Sequence, residues 1–230
     1  MKKSITVAFG CLIVALLLTG CNSNNGITGT HLSKNFIQLY VVPDDIDIYH
    51  YKTLTPETSR SIWVTFRGES VFDRIINGKH DLEYIALSTK YNDLSYNGYV
   101  TPASNPTLAG EVRDIDVTCN VDIDESHPAG SSLNDIIKIH AGSPKAFINS
   151  GYKKYNNKLT DEFGMSSITE YGYEVIFKYL NELKPGDLDL IHDKCILYIT
   201  KELPKGSYDF TVTMKCMGNT LEKTVTLELE

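Results

Sequence analysis

The stretch YDFTVTMKCMGNTLEKTVTLEL, residues 208–229, decides the fold class of this chain. Apolar and polar side chains alternate on both sides of Gly218-Asn219, and such alternation is typical of strands that bury one face. A Gly-Asn pair between two alternating runs predicts a two-residue hairpin turn. We therefore expect an antiparallel hairpin whose apolar face packs on a core.

A turn centred on Gly218-Asn219 also predicts which residues of the hairpin lie opposite each other. The expected pairs are Val212 with Val225, Phe210 with Leu227, Tyr208 with Leu229 and Cys216 with Leu221 on the apolar face, and Thr211 with Thr226, Thr213 with Thr224 and Lys215 with Glu222 on the polar face. Such pairs each stabilise a sheet by roughly 0.2–1 kcal/mol. A shift by one residue would expose the whole apolar set, so the alternation specifies the buried face.

The residues that lead into the hairpin, Leu203-Pro-Lys-Gly-Ser-Tyr208, form a second pattern. A Pro/Gly corner that ends in a tyrosine at the start of the penultimate strand resembles the tyrosine corner of immunoglobulin-like sandwiches. The resemblance implies that residues 195–200, 208–216 and 221–230 are strands E, F and G of that fold. Phe210 stands where antibody domains have the strand F cysteine. An ordinary tight turn with a packed tyrosine is the alternative.

Most of the remaining chain has the composition of strands separated by turns. Residues 171–180 favour a strand over a helix because aromatic and β-branched residues dominate, and residues 91–106 predict a loop. Pro43-Asp44-Asp45 and Gly68 are expected to end two of the strands. The fold class expected is all-β, an immunoglobulin-like antiparallel β-sandwich over residues 31–230, with 110–230 the clearest immunoglobulin-like part. The other predicted strands cover residues 33–42, 46–51, 61–67, 82–89 and 111–124.

The N-terminus has the features of a lipoprotein signal. Lys2 and Lys3 precede an apolar run over residues 5–18, which has the length of a signal-peptide core and is too short for a comfortable spanning helix. Leu18-Thr19-Gly20-Cys21 then resembles the lipobox of bacterial lipoproteins. The resemblance implies diacylglyceryl transfer to the Cys21 sulfur, cleavage after Gly20 and acylation of the new amino group, for example with palmitate.

This signal predicts where the mature chain is located. We expect a signal peptide over residues 1–20 and a flexible, polar tether over residues 21–30. Two or three acyl chains on one cysteine hold a protein stably, whereas a single chain holds only marginally. Asn22, rather than an Asp at this position, favours the outer membrane in the lipoprotein sorting pattern. The lipid anchor is the only membrane contact expected.

Several features together resemble small cell-envelope lipoproteins of Bacteroidetes. They are the lipobox, the all-β pattern, the corner-hairpin ending and the stretch DVTCNVDIDESHPAGSSLND at residues 116–135. That group is largely without assigned function. The resemblance therefore implies an envelope context and no particular reaction.

Charge and cysteine content limit the possible partners and cofactors. The whole chain carries a net charge of −7, and removal of residues 1–20, with Lys2 and Lys3 and no acidic residue, lowers it to −9. An acidic chain is a poor candidate for binding nucleic acid or anionic lipid headgroups, because both favour clustered Lys and Arg. No C-x-x-C motif supports a zinc site. Cys119 and Cys216 are expected in the core, Cys195 is expected to begin a strand, and a disulfide among the three is left open.

No pattern typical of a catalytic centre occurs in the sequence. G-x-S-x-G, H-E-x-x-H, a Walker loop and a strand-linked G-x-G-x-x-G are all absent. Six histidines are scattered without metal-ligand spacing. Acidic groups at Asp122/Asp124/Glu125 and Asp187/Asp189/Asp193 could each offer calcium two or three oxygens, but solvation explains them as well. We predict no catalytic residue, no metal and no cofactor.

Tyrosines in two polar segments are the candidate contact residues. Exposed aromatic side chains beside Asn and Ser can stack on sugars or anchor a protein partner. The alternative is that these tyrosines fill the interior of the sandwich and the bases of its loops. The predicted ligand-binding residues are Tyr91, Tyr96, Tyr99, Tyr152 and Tyr155.

The function expected is a lipid-anchored, non-catalytic binding or structural module of the cell envelope, with a glycan or a protein as partner. A pilin-like assembly subunit is the first alternative, and its first strand would be the removable one. A glycoside hydrolase that uses two carboxylates is the second alternative.

Overall fold

The computed structural model describes residues 31–50, 60–73, 75–76, 79–100, 106–153 and 174–229. The predicted signal peptide, Cys21, the tether and Tyr155 lie outside the described residues. Strands dominate and helices are few, which confirms the expected all-β class. The elements are β1 His31–Ser33, β2 Leu39–Tyr49, β3 Ser61–Phe72, β4 Ile75–Ile76, β5 Lys79–His80, α1 Leu82–Lys90, β6 Gly98–Val100, β7 Thr107–Leu108, β8 Val112–Cys119, β9 Ile137–Ser143, α2 Lys145–Asn149, β10 Glu174–Tyr179, a 3-10 turn Leu180–Glu182, β11 Lys194–Ile199, β12 Gly206–Cys216 and β13 Asn219–Leu229.

These strands form two main sheets and two short ribbons. The larger sheet has the order β10-β9-β11-β3-β2-β7, and its neighbours are antiparallel except for the parallel pair β2–β7. The smaller sheet has the antiparallel order β13-β12-β8. The ribbons are β1–β6 and β4–β5.

Both main sheets contribute to one hydrophobic cluster. Val64 and Phe66 of β3 and Val117 and Phe210 of the smaller sheet are all buried in it. A second cluster includes Tyr40 of β2 and covers the opposite side of the larger sheet with side chains from α1 and α2. The larger sheet is therefore packed on both faces near the start of β2, which is where the candidate site lies.

The C-terminal hairpin is present, but its predicted register is wrong by two residues. The turn consists of Met217 and Gly218, with φ of 51° and 87°, so Phe210 lies opposite Val225 instead of Leu227. A turn with two positive φ values is type I′, in which glycine is favoured at the second central position. Gly218 therefore takes that position and the turn moves one residue toward the N-terminus. The buried face is as predicted, because a shift of two residues preserves the alternation.

The corner before this hairpin contains a hydrogen bond from the tyrosine side chain to the backbone. Tyr208 Oη donates to the backbone oxygen of Pro204 at 2.8 Å. The chain crosses here from β11 in the larger sheet to β12 in the smaller sheet. The tyrosine therefore fixes the point at which the chain changes sheets.

The strand ends predicted at Pro43-Asp44-Asp45 and at Gly68 are wrong. β2 continues through Pro43 with a bulge between Pro43 and Asp45, and β3 continues through Gly68 opposite it. A Cβ at Gly68 would lie 1.9 Å from the backbone oxygen of Val42, so only glycine fits this close approach. Pro43 and Gly68 are thus features of one bulge and do not end the strands.

Other segments differ in type or length from the prediction. Residues 82–89, expected as a strand, form α1, and Asp81 caps this helix by accepting from the backbone N–H groups of Glu83 and Tyr84. The strand expected over 111–124 ends at Cys119, and Val121 is 37% exposed. The strand expected within 171–180 is present as β10.

Candidate functional site

The buried carboxylate of Asp93 organises the end of the molecule that holds most of the predicted contact tyrosines. Asp93 is 0% exposed and accepts hydrogen bonds from the backbone N–H groups of Phe36 and Ile37, each at 2.8 Å. The hydroxyl of Tyr152 donates to the same carboxylate at 2.9 Å. One side chain therefore ties the loop after α1 to the residues before β2 and to the segment after α2.

Burial determines the electrostatics of this group. It raises the pKa of Asp93, although the three donors that face the carboxylate act in the opposite direction. Burial, and then the negative charge of Asp93, raises the pKa of Tyr152 to about 12. Tyr152 therefore remains protonated at neutral pH and serves as the hydroxyl donor.

A cluster of four aromatic rings surrounds this carboxylate. Phe36, Tyr96, Phe147 and Tyr152 meet edge to face, with ring centroids 4.9 Å apart for Phe36–Phe147 and 5.4 Å apart for Tyr96–Tyr152. Pairs in this geometry contribute about 0.5–1.5 kcal/mol beyond their burial. The loop and both segments that it contacts are thus held in one arrangement.

The predicted contact tyrosines have different environments in this region. Tyr91 is buried and its hydroxyl donates to the backbone oxygen of Ala109 at 2.7 Å. Burial also raises the pKa of Tyr91. Tyr96 and Tyr152 are half-buried in the ring cluster, whereas Tyr99 is exposed. Tyr91, Tyr96 and Tyr152 therefore form a packed support near Asp93, which we call the base. Tyr99 is the candidate that faces the solvent.

Tyr99 belongs to an exposed apolar surface. It lies directly opposite Leu32 in the ribbon β1–β6, and their side chains are 73% and 59% exposed. Leu94, in the loop that leads to β6, is 46% exposed. We call Leu32, Leu94 and Tyr99 the ribbon surface. Val100, the next residue of β6, is buried on the other face and holds the ribbon against the body.

Sequence reasoning missed a second group of aromatic side chains, on the outer face of the larger sheet. The rings of His140, Phe177 and Tyr198 meet edge to face with centroids 6.1–6.4 Å apart. Lys138 Nζ lies 4.9 Å from the ring centroid of Phe177 and 4.8 Å from that of Tyr179. The alternation of Phe177 with Tyr179 and of Lys138 with His140 was the available signal. These side chains pack on one another as a layer.

The first acidic group considered for calcium takes part in internal contacts. Asp124 contacts Lys201 and faces His127 Nδ1 at 2.8 Å, and His127 Nε2 faces Asp135 at 3.0 Å. Asp122 accepts from the backbone N–H of Ala129 at 2.7 Å. These contacts stabilise the loop between β8 and β9.

The second acidic group is also engaged by nearby cations. Asp187 pairs with Lys178 at 2.9 Å and Asp189 with Lys145 at 3.3 Å. Burial raises the pKa of Asp193. Among the residues that the structure describes, no three or more His, Cys, Asp or Glu side chains are placed to hold a metal ion.

Cys119 and Cys216 are core residues, as expected, and Cys195 is a core residue as well. Cys119, Cys195 and Cys216 are free thiols and each is at most 3% exposed. Burial raises the pKa of all three, to about 12 for Cys195 and about 11 for Cys216. Such thiols are poor nucleophiles, because the thiolate is the reactive form.

Comparison of the chain with known proteins gives no relative: no family model, no curated protein and no solved structure matches it. Within the described part of the chain, no helix has the length and apolar character needed to cross a membrane. The ribbon surface and the N-terminal sequence are therefore the features from which a function can be inferred.

Proposed function

We propose that this chain is a lipid-anchored, non-catalytic module of the bacterial cell envelope, attached to the outer membrane through Cys21, and that the ribbon surface is its contact surface. The observation that carries the proposal is the exposed pair Leu32–Tyr99, mounted on the base around Asp93. The lipobox supports the anchor, and it resembles that of the Bacteroidetes envelope lipoproteins.

The base around Asp93 favours binding by the ribbon surface. A contact surface that is already ordered loses little conformational entropy when a partner binds. The three hydrogen bonds to Asp93 and the four packed rings order the loop before β6 in this way. Tyrosine suits such a surface, because a rigid ring and a polar hydroxyl contact apolar and polar groups together.

We propose further that the domain is an immunoglobulin-like sandwich. In that fold strands A, B, E and D form one sheet and strands C, F and G the other. The order β2-β3-β11-β9 corresponds to A-B-E-D, and β8-β12-β13 corresponds to C-F-G. β7 and β10 would then be additions at the two edges of the larger sheet. The tyrosine hydrogen bond at the corner before β12 supports the same assignment.

The structure offers less support for the assembly alternative. Donor-strand exchange requires a removable strand and an edge that accepts a replacement. The strand predicted first, over residues 33–42, overlaps β2, which lies between β3 and β7 in the larger sheet, so its removal would disrupt that sheet. Among the described residues β1 precedes it and pairs with β6 in a separate ribbon. Along the free side of β8, the side chain of Asn134 accepts from Val117 N–H at 3.3 Å and donates to the backbone oxygen of Ile115 at 2.8 Å. This amide takes the place of a neighbouring strand there.

The lipid anchor is tested by the substitution Cys21→Ala, with Cys11→Ala as the matched control. Cys11 lies in the segment that the signal peptidase would remove, so its loss should have no effect on the mature protein. We expect C21A to lose metabolic labelling with radioactive palmitate and to leave the membrane fraction, whereas C11A keeps both properties. If C21A remains labelled or membrane-bound, the proposed function is wrong.

A further inference from the structure

We propose that the ribbon surface contacts the lipid bilayer that carries the acylated Cys21. The inference rests on the proposed function, since it names the partner of the same surface. The domain would then touch the membrane at two points, the lipid anchor and the pair Leu32–Tyr99.

The first support is the short distance along the chain between the two points. Residues 22–30 separate the anchor, Cys21, from His31, the first residue of the ribbon. The flexible tether predicted from this composition would have a root-mean-square end-to-end distance of about 16–19 Å. A folded domain of this size has a radius of gyration of about 16 Å. The ribbon is therefore the part of the fold that the anchor holds nearest to the bilayer.

The second support is the charge of the segments that carry the ribbon surface. The chain has a net charge of −7, yet residues 31–38 and 94–100 contain no Asp or Glu. Lys34 is exposed directly after β1. The neighbouring carboxylate, Asp93, is fully buried. These segments therefore add no exposed negative charge that would repel anionic headgroups, and Lys34 adds a positive one.

The third support is the chemistry of the exposed side chains. Directly opposite residues of an antiparallel pair point to the same side, so Leu32 and Tyr99 project together. Leucine suits the boundary between headgroups and acyl chains, and tyrosine is enriched there because its ring is apolar and its hydroxyl is polar. Lys34 can extend its ammonium group to the headgroups.

The tether makes even a weak contact effective. A short flexible linker gives the attached surface an effective concentration on the order of millimolar at its target. Leu32 and Tyr99 need not bind a bilayer from solution. They need only favour the orientation in which the ribbon faces the membrane.

The experiment places a fluorescent reporter in the ribbon surface of the full-length, lipidated protein. The Tyr99→Trp variant is reconstituted into phosphatidylethanolamine and phosphatidylglycerol vesicles with acyl chains brominated close to the headgroup. The wild-type protein, with Trp63 as its one tryptophan, gives the baseline. Val121→Trp is the matched control, because Val121 is exposed. It follows Asn120, whose side chain contacts Asp209 near the start of β12, far along the sheets from the ribbon.

We expect Y99W to show a blue-shifted emission and a loss of fluorescence in brominated vesicles that exceed those of the wild type and of V121W. Adding Leu32→Ser to Y99W should reduce both effects. Equal quenching of Y99W and V121W in protein that floats with the vesicles would overturn the inference and leave the ribbon surface to a protein or a glycan. Mass spectrometry shows whether Cys21 is acylated, which distinguishes this result from the loss of the anchor. Protein that is unmodified at Cys21 and does not float with the vesicles would contradict the proposed function itself.

Discussion

At the scale of single residues, Asp93 connects three segments that are far apart in the sequence. Its two carboxylate oxygens accept from Phe36 N–H and Ile37 N–H, and one of them also accepts from Tyr152. A buried backbone N–H without an acceptor costs about 1–3 kcal/mol. The carboxylate therefore offsets the cost of its own burial by accepting hydrogen bonds from these three donors.

We expect Asp93→Asn to lower the free energy of unfolding by about 1–3 kcal/mol. An amide has a single oxygen, so one of the two backbone N–H groups would face an NH₂ group instead of an acceptor. Tyr152→Phe is the control, because it removes one hydroxyl donor and leaves the carboxylate. Urea unfolding followed by circular dichroism measures both values. Equal losses in the two variants would contradict the role given to the carboxylate.

His192 provides a prediction about pH. Its ring is partly buried, its Nδ1 donates to the backbone oxygen of Pro106 at 3.4 Å, and burial lowers its pKa from 6.5 to about 4. Between these values the unfolded chain binds the proton and the folded chain does not. The stability linked to this group is therefore complete above about pH 6.5 and is lost as the pH falls toward 4.

We expect the free energy of unfolding of wild type to fall below pH 6.5 more steeply than that of His192→Asn. One proton taken up on unfolding gives a slope of at most about 1.4 kcal/mol per pH unit. Urea titrations at several pH values between 4 and 7.5 give both profiles. Parallel profiles would show that His192 does not contribute to the acid sensitivity.

At the scale of elements, the turn of the C-terminal hairpin is under local strain. Met217 has a φ of 51°, a left-handed conformation that costs residues with a Cβ atom about 1–2 kcal/mol. Asparagine adopts this conformation more readily, and Asn-Gly is the favoured sequence for a type I′ turn. The chain therefore folds into this turn with a residue that is not optimal for it.

We expect Met217→Asn to raise the free energy of unfolding by up to about 1 kcal/mol. Met217→Val should have the opposite effect, because a β-branched residue fits positive φ poorly. Thermal unfolding of the two variants beside the wild type measures the difference. If Met217→Asn is no more stable than Met217→Val, the turn does not limit the stability of the hairpin β12–β13.

At the scale of the whole molecule, the core thiols report on global unfolding. Cys119 and Cys216 belong to the smaller sheet and Cys195 to the larger one, so they lie on both sides of the shared cluster. We expect a thiol reagent to react with these three residues after unfolding and hardly at all before it. Val121→Cys supplies an exposed thiol as the control. Native wild type that reacts as fast as this variant would contradict the buried placement.

The sequence alone was sufficient for the fold class and for the buried faces of its clearest strands. Side chains of a strand alternate between its two faces, so the apolar residues of β8 and β12 identify their core face without any knowledge of their partners. The hydrogen bond of Tyr208 spans four residues, so both of its partners lie within the corner that the sequence pattern identified. These properties depend on neighbours close along the chain.

Only the tertiary structure decided the helix α1 and the candidate site, whereas the hairpin register follows from the local turn at Met217-Gly218. The register depends on the turn geometry, and α1 depends on its cap and on the larger sheet beneath Tyr84. The carboxylate of Asp93 meets backbone groups 56 and 57 positions away, and no local period encodes such a distance. Leu32 and Tyr99 likewise became one surface only through strand pairing. Packing between distant segments selects these contacts, because the burial of apolar surface lowers the free energy of the fold whichever segments supply that surface.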